Sequence, residues 1–390
     1  LFTLMHAPKT FTGEDTVEIT CHNNQIIIES IIELAIKHGA QRAQCGEFTR
    51  RAVSNGKLDL LQAEAINELI HAQTQQALHQ SLAQLKGTLS HWVRDIEVDL
   101  LKSIAWCDAS FEFLDDEGDF SQDIRKRLNG VLDRIIKVKN SFNYQQHIRQ
   151  GVRIALLGSV NAGKSSLFNQ LLGIKRSIVS LNPGTTRDSI EASLYRNGMN
   201  WTLIDTAGIR VTNDTVELEG IERSLKEAEL ADIIVLILDQ SRQWGNDERK
   251  SYEDLLALYA NKIIMAYNKT DLPQVSQQAL SGAQLIDSNP LFLSAIAQKS
   301  DSLESAIDNK VKKIFNNLDS PFLLNQRHLQ ALLSLERQLQ CIVNMLEGEV
   351  HYELVSYNLR ESLERLSELT GKSVAEQSLD MVFKEFCVGK

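Results

Sequence analysis

Gly158-Ser159-Val160-Asn161-Ala162-Gly163-Lys164-Ser165 fits the pattern G-x-x-x-x-G-K-[ST], and its flanks decide the fold. The apolar run Val152-Arg153-Ile154-Ala155-Leu156-Leu157 before it reads as a buried strand. Ser166-Leu167-Phe168-Asn169-Gln170-Leu171-Leu172 after it reads as a helix. Strand, glycine loop and helix together let backbone N–H groups converge on phosphate oxygens at a helix N-terminus, where the dipole favours anions. Asn161, Ala162, Gly163, Lys164, Ser165 and Ser166 are therefore expected at a bound nucleotide. Lys164 should reach the β- and γ-phosphates, and the Ser165 hydroxyl should take a place on Mg²⁺.

Further signals follow in order. Asp205-Thr206-Ala207-Gly208 comes after the strand-like Trp201-Thr202-Leu203-Ile204; Asp205 can hold Mg²⁺ through water, and Gly208 can offer an N–H to the γ-phosphate. Asn268-Lys269-Thr270-Asp271 follows the apolar Ile263-Ile264-Met265-Ala266-Tyr267. Asp271 can accept both N1–H and N2–H of guanine, a donor pair that adenine lacks, so its unsatisfied carboxylate would reject ATP. Ser294-Ala295, after Leu291-Phe292-Leu293, stands where a loop capping the base belongs. The nucleotide expected is GTP. In Pro183-Gly184-Thr185-Thr186-Arg187-Asp188 a threonine can complete the Mg²⁺ shell when a γ-phosphate is present, which makes the segment an order–disorder switch. Thr186 is the first choice for that ligand, with Thr185 the second.

Where a glutamine orients the attacking water in Ras-type enzymes, this chain has Ile209. Another group must place the water, and Glu217, Glu219 and Glu222 are within reach in sequence. Positive charge for the transition state could come from Arg187, from Arg210, or from a monovalent cation held by Asn161 and switch carbonyls.

The 390 residues leave room for two or three domains. The net charge of −10 is spread along the chain, so no segment is a strongly basic module that grips nucleic acid by bulk attraction. Cys21, Cys45, Cys107, Cys341 and Cys387 show no C-x-x-C spacing, which indicates neither a zinc site nor a disulfide framework. With no apolar run approaching a membrane span and no signal-peptide pattern, a reducing, cytoplasmic setting is expected.

Four segments are expected: 1–56, a partial α+β domain; 57–150, helical; 151–319, an α/β P-loop unit; and 320–390, helical again. In the first, Phe2-Thr3-Leu4-Met5 and Thr16-Val17-Glu18-Ile19-Thr20 are strand-like, and a helix is predicted from Ile26 to His38. Helical spacing runs from Leu58 through Ile104, and another helix from Ile124 to about Ile148. It resumes from Leu329 to Leu346 and from Tyr352 to Leu369. Helices on both sides of the P-loop unit imply that it is inserted into an all-α domain.

Several further stretches carry a family resemblance. They are Phe11-Thr12-Gly13-Glu14-Asp15, Gly46-Glu47-Phe48-Thr49-Arg50-Arg51-Ala52, Asn55-Gly56-Lys57-Leu58-Asp59-Leu60 with Gln62-Ala63-Glu64-Ala65, Arg327-His328-Leu329, and the tail Phe386-Cys387-Val388-Gly389-Lys390. With the nucleotide motifs, they make the chain resemble the MnmE (TrmE) family of tRNA-modification GTPases along essentially its whole length. The resemblance implies a homodimer whose GTPase units pair in a potassium-dependent manner. It also implies a flavoprotein partner, MnmG (GidA), tRNA as substrate, and an N-terminal domain that binds a tetrahydrofolate derivative. By the same match Asn161 would coordinate potassium with the loop from Gly184 through Thr185 to Arg187, and Glu217 would orient the water. Cys387 would serve the modification chemistry, and Arg50, Lys57 and Lys390 are candidate substrate contacts. Roughly the first sixty residues of a full-length member are expected to be lacking, which puts folate binding in this chain in question. Ser159-Val160 stands where a proline commonly precedes the asparagine. A ribosome-assembly or regulatory GTPase shares the P-loop set but predicts neither the insertion nor the Cys-Val-Gly-Lys tail. A membrane-remodelling GTPase would want an amphipathic or basic membrane-binding segment, and none is evident.

Overall fold

The computed structural model describes residues 1–112, 120–173, 190–205, 226–275, 280, 290–296, 301–316, 321–372, 383 and 386. They fall into two compact units: residues 1–72, 77–145 and 320–390 in one, and 73–76 and 146–319 in the other.

The first unit begins with an antiparallel pair, β1 (Phe2–Met5) and β2 (Thr16–Ile19), then α1 (Gln25–Lys37) and α2 (Glu47–Ser54). Asn24 caps α1 by accepting the Ile26 N–H at 2.9 Å. Helix α3 (Leu60–His71) starts at a capping box: Asp59 Oδ1 accepts the Gln62 N–H and Gln62 Oε1 accepts the Asp59 N–H. After α4 (Gln75–Leu85) come α5 (Thr88–Glu112) and α6 (Ser121–Asn140).

Helical spacing decides what these helices bury. Val93, Ile96, Leu100 and Ile104 line one face of α5, and Ile124, Leu128, Val131 and Ile135 line one face of α6. They share a core with Leu332, Leu335, Leu339 and Ile342 of α11 (Gln326–Met345) and with Val355, Leu359, Leu366 and Leu369 of α12 (Tyr352–Thr370). Each such side chain stabilises the fold by roughly 1.5–3 kcal/mol relative to exposure.

One ionic cluster lies among these helices. Glu64 on α3 is buried, and its Oε1 accepts from Arg327 Nε (2.8 Å) and Asn325 Nδ2 (3.0 Å). Its Oε2 accepts from Arg327 (2.7 Å) and from the Nε2–H of the buried His328 (2.6 Å), whose Nδ1 takes the Asn325 N–H. Arg327 also donates to Glu368 O and Leu369 O at the end of α12. Burial would raise the Glu64 carboxyl, but the contacts from His328 and Arg327 outweigh it and hold the group down at about 2.

Among the described residues the second unit is built on a six-stranded sheet in the order β4-β5-β3-β6-β7-β8. Strands β3 (Val152–Leu157), β5 (Met199–Asp205), β6 (Ile233–Asp239), β7 (Ile263–Asn268) and β8 (Leu291–Phe292) run parallel, and β4 (Ile190–Arg196) closes one edge antiparallel to β5. The central strands are apolar along their length because both faces are covered; all seven residues of β6 are buried. Helices α8 (Lys164–Gly173), α9 (Asn246–Tyr259) and α10 (Asp301–Asn316) belong to this unit, and α7 (Phe142–Gln150) leads into it.

The helical run expected from Leu58 is divided into separate helices, and the helix expected from Ile124 to about Ile148 is broken. The run from Leu58 is interrupted between α3 and α4, where Gln73 N–H donates to Arg149 O (3.3 Å), Thr74 Oγ1 to Ile148 O, and Gln75 N–H to Gly198 O (2.7 Å). The helix expected from Ile124 to Ile148 breaks at Ser141, whose hydroxyl donates to Val138 O at 2.6 Å in competition with the helical ladder.

Candidate nucleotide site

The parallel strands β3, β5, β6 and β7 lie side by side in the sheet, with Asp205 ending β5, and β3, β6 and β7 are each followed at the C-terminal end by a loop that carries polar residues. In α/β sheets of this kind ligands bind at that edge. Residues 158–163 join β3 to α8, with Asn161 left-handed (φ +63°) and exposed. Ala162 and Lys164 are buried, whereas Ser165 and Ser166 are exposed at the first turn of α8. The Lys164 ammonium donates to Gly158 O and Ser159 O, both at 2.6 Å. Burial lowers its pKa, and the Asp205 charge opposes that shift. Asp205 is buried at the end of β5, in register with Leu156 of β3.

The base-reading side is built from β7 and the loop after β8. Asn268 is buried and bridges the two halves of the site. Its Nδ2 donates to Ala162 O (2.8 Å), and its Oδ1 accepts the Ala295 N–H (3.1 Å). Lys269 is left-handed (φ +67°), and its ammonium reaches Asp239 Oδ2 at 2.5 Å. Asp271 is exposed, with Oδ1 accepting from the buried Ser294 hydroxyl (2.6 Å), which fixes the orientation of the carboxylate. The bridge from Ala162 through Asn268 to Ala295 brings the phosphate loop, the Asn-Lys-Thr-Asp segment and the Ser-Ala loop into one site.

Gly184, Thr185, Thr186, Arg187, Gly208, Ile209, Arg210, Glu217, Glu219, Glu222, Cys387 and Lys390 lie outside the described residues. In the first unit, Lys57 Nζ donates to Pro8 O (2.8 Å), and Arg50 is half-buried on α2. Phe383 and Phe386 are buried against Leu60 and Ala63. Gly46, at φ +66°, makes room for them: a Cβ there would lie 2.8 Å from Phe383 O and 2.9 Å from Phe386 Cβ. The Gly46–Ala52 motif and the last described residue of the tail are therefore neighbours.

The sequence reading missed four participants around the phosphate loop: Asp239, Arg242, Glu248 and Tyr252. An acid ending an apolar strand was the available signal for Asp239; the other three lie in no recognised pattern. Among the described residues no group of three or more His, Cys, Asp or Glu is placed to hold a metal, and no helix is long and apolar enough to cross a membrane.

The chain matches the MnmE helical domain family over residues 60–387, and the family described as GTP-binding protein TrmE N-terminus over residues 1–57. It is 37% identical to the tRNA modification GTPase MnmE of Lachnoclostridium phytofermentans over 99% of this chain and 84% of that protein. To the protein of the same description from Petrotoga mobilis it is 36% identical, over 98% of this chain and 85% of the relative. Among solved structures, Aquifex aeolicus Era is similar at 25% identity over 48% of this chain and 66% of its own, with a TM-score of 0.31, too low to bear on function.

Proposed function

This chain belongs to the MnmE family of tRNA modification GTPases, and from that premise we propose a potassium-dependent, GTP-hydrolysing enzyme of tRNA wobble modification. It acts with the flavoprotein MnmG (GidA) to add an aminomethyl-type group to C5 of the wobble uridine of certain tRNAs. The observation that supports GTP most directly is the Asp271–Ser294 pair, oriented at 2.6 Å and tied through Asn268 to the phosphate loop. A carboxylate held in this way can accept two N–H donors of guanine and is left unpaired by adenine.

The hard oxygens of Ser165 and Asp205 suit Mg²⁺, with Thr186 from the switch segment as a further ligand. When bound, Mg²⁺ supplies charge neutralisation on the phosphates. The exposed, left-handed Asn161 suits a potassium ion shared with Gly184 and Thr185, and that ion supplies the positive charge an arginine finger brings elsewhere. Two GTPase units pair across a homodimer, and Glu217 orients the water at the position that Ile209 cannot serve. Arg50 and Lys57 carry the cationic chemistry that the carboxylates of a tetrahydrofolate derivative would meet. The setting is cytoplasmic.

Hydrolysis measured in KCl and in NaCl at matched ionic strength tests this reading. Wild type should be fast in potassium and slow in sodium. Glu217→Ala in potassium should lose roughly 10²–10³ in turnover, with GTP affinity near wild type. Equal rates in the two salts, or unchanged turnover for Glu217→Ala, would overturn the hydrolytic part. Cys387→Ser is expected to keep GTPase activity while abolishing wobble modification with the flavoprotein partner. Nucleoside analysis of tRNA from a strain carrying that variant reads the outcome, and normal modification would remove Cys387 from the chemistry.

A further inference from the structure

Residues 240–245, between β6 and α9, hold the start of the phosphate loop through side chains that contribute nothing to the nucleotide motifs. Arg242 spans both oxygens of Glu248, at 2.9 and 2.7 Å, and its NH2 also donates to Ser159 Oγ at 2.9 Å. Glu248 lies in the first turn of α9, where the helix dipole favours an anion. Burial would raise the Glu248 carboxyl, but the bonds from Arg242 and Tyr252 bring it below its usual range. One turn further on, the buried Tyr252 hydroxyl donates to Glu248 Oε1 (2.8 Å) and accepts the Ser159 N–H (3.2 Å). Ser159 is thus gripped by its backbone and by its side chain.

What Ser159 does next gives the grip its consequence. Its carbonyl is one of two oxygens that receive the Lys164 ammonium. A shift of Ser159 therefore shifts the cation that must meet the β- and γ-phosphates. The same network reaches the base side, because Asp239 takes Lys269 at 2.5 Å, approaches Arg242 Nε at 3.8 Å, and fixes Ser241 through its N–H and hydroxyl. Trp244 completes it, donating to Asp239 O (2.8 Å), edge-on to Tyr252 and stacked on Tyr267 of β7.

We propose that Arg242 is a positioning residue for nucleotide binding: braced by Glu248 and Tyr252, it holds Ser159 and thereby places Lys164 against the phosphates. Its charge is already matched by Glu248, so its contribution is geometric and acts on GTP and GDP alike. The two nucleotides share the β-phosphate that Lys164 meets, so the effect falls on affinity rather than on the chemical step.

The test is a double-mutant cycle on the full chain, read as affinity for fluorescent GTP and GDP analogues and as kcat and KM for GTP. Ser159→Ala removes one hydroxyl and leaves the fold undisturbed; it should weaken both nucleotides by roughly fivefold. Arg242→Ala should weaken both by roughly 10- to 30-fold and raise KM in step, with kcat within about threefold of wild type. The double variant should bind no more weakly than Arg242→Ala, because Arg242 acts through Ser159. Arg242→Lys should fail to rescue, since one ammonium lacks the fork that spans Glu248 and reaches Ser159. Fully additive losses, unaltered affinity in Ser159→Ala, or a fall in kcat at constant KM would each overturn the proposal.

Discussion

Gly163→Ala is expected to weaken GTP binding by about 10³-fold and to abolish hydrolysis at ordinary GTP concentrations. The backbone at Gly163 has φ +100°, and a Cβ built there would lie 2.1 Å from Asn268 Nδ2. No Cβ contact of that length exists, and what would have to move is not a free chain end. Asn268 is buried, and the same Nδ2 donates to Ala162 O while its Oδ1 holds the Ala295 N–H. Relief therefore breaks the bridge between the phosphate and base halves of the site. Left-handed strain costs about 1–3 kcal/mol, and an orphaned buried amide costs about as much again. Together these give about 4 kcal/mol, or about 10³ in affinity. Titration with a labelled GTP analogue checks the number, with circular dichroism as the control for folding. Binding within threefold of wild type would show that the Asn268 bridge is dispensable.

The same bridge shows how far the sequence could be read. Fold class was legible because its signals are local: the apolar run from Val152 to Leu157 and the glycine loop after it form β3 and the turn into α8. The helical stripes from Val93 to Ile104 and from Leu332 to Ile342 are faces of one core for the same reason. Contacts between remote residues were not legible. Gln62-Ala63-Glu64-Ala65 and Arg327-His328-Leu329 were recognised as separate stretches, with no sign that Glu64 meets both Arg327 and His328. The turn after α3 carries no Gly or Pro to mark it, because it is made by hydrogen bonds to residues 148, 149 and 198 that leave no local signal. At the nucleotide site the motifs mark residues that face phosphate and base. Arg242 and Tyr252 face the loop from behind, and a brace has no spacing rule to betray it.

Removing the charge of Glu64 is the second large effect expected, on stability rather than binding. Glu64→Gln leaves Arg327 and the His328 Nε2–H around a neutral amide, and one amide NH₂ must point toward donors that need an acceptor. Unmatching one partner of a buried ionic cluster costs about 3–5 kcal/mol. The carboxyl is held at about 2 in the fold, against 4.5 as its ordinary value. At about 1.4 kcal/mol per pKa unit, that depression corresponds to about 3 kcal/mol of stability at neutral pH. The contribution has a definite pH window. A depressed carboxyl stabilises the fold fully above its unfolded value near 4.5, and the benefit is lost as pH falls toward 2, because the unfolded chain takes up the proton first. Calorimetry of wild type and Glu64→Gln should therefore show a Tm gap of roughly 6–12 °C at pH 7. That gap should narrow steadily below about pH 4.5, while the GTPase unit's own transition stays in place. A gap that is constant from pH 7 to pH 3, or absent at pH 7, would mean that α3, α11 and α12 are held by their apolar faces alone, with the Glu64 cluster adding nothing.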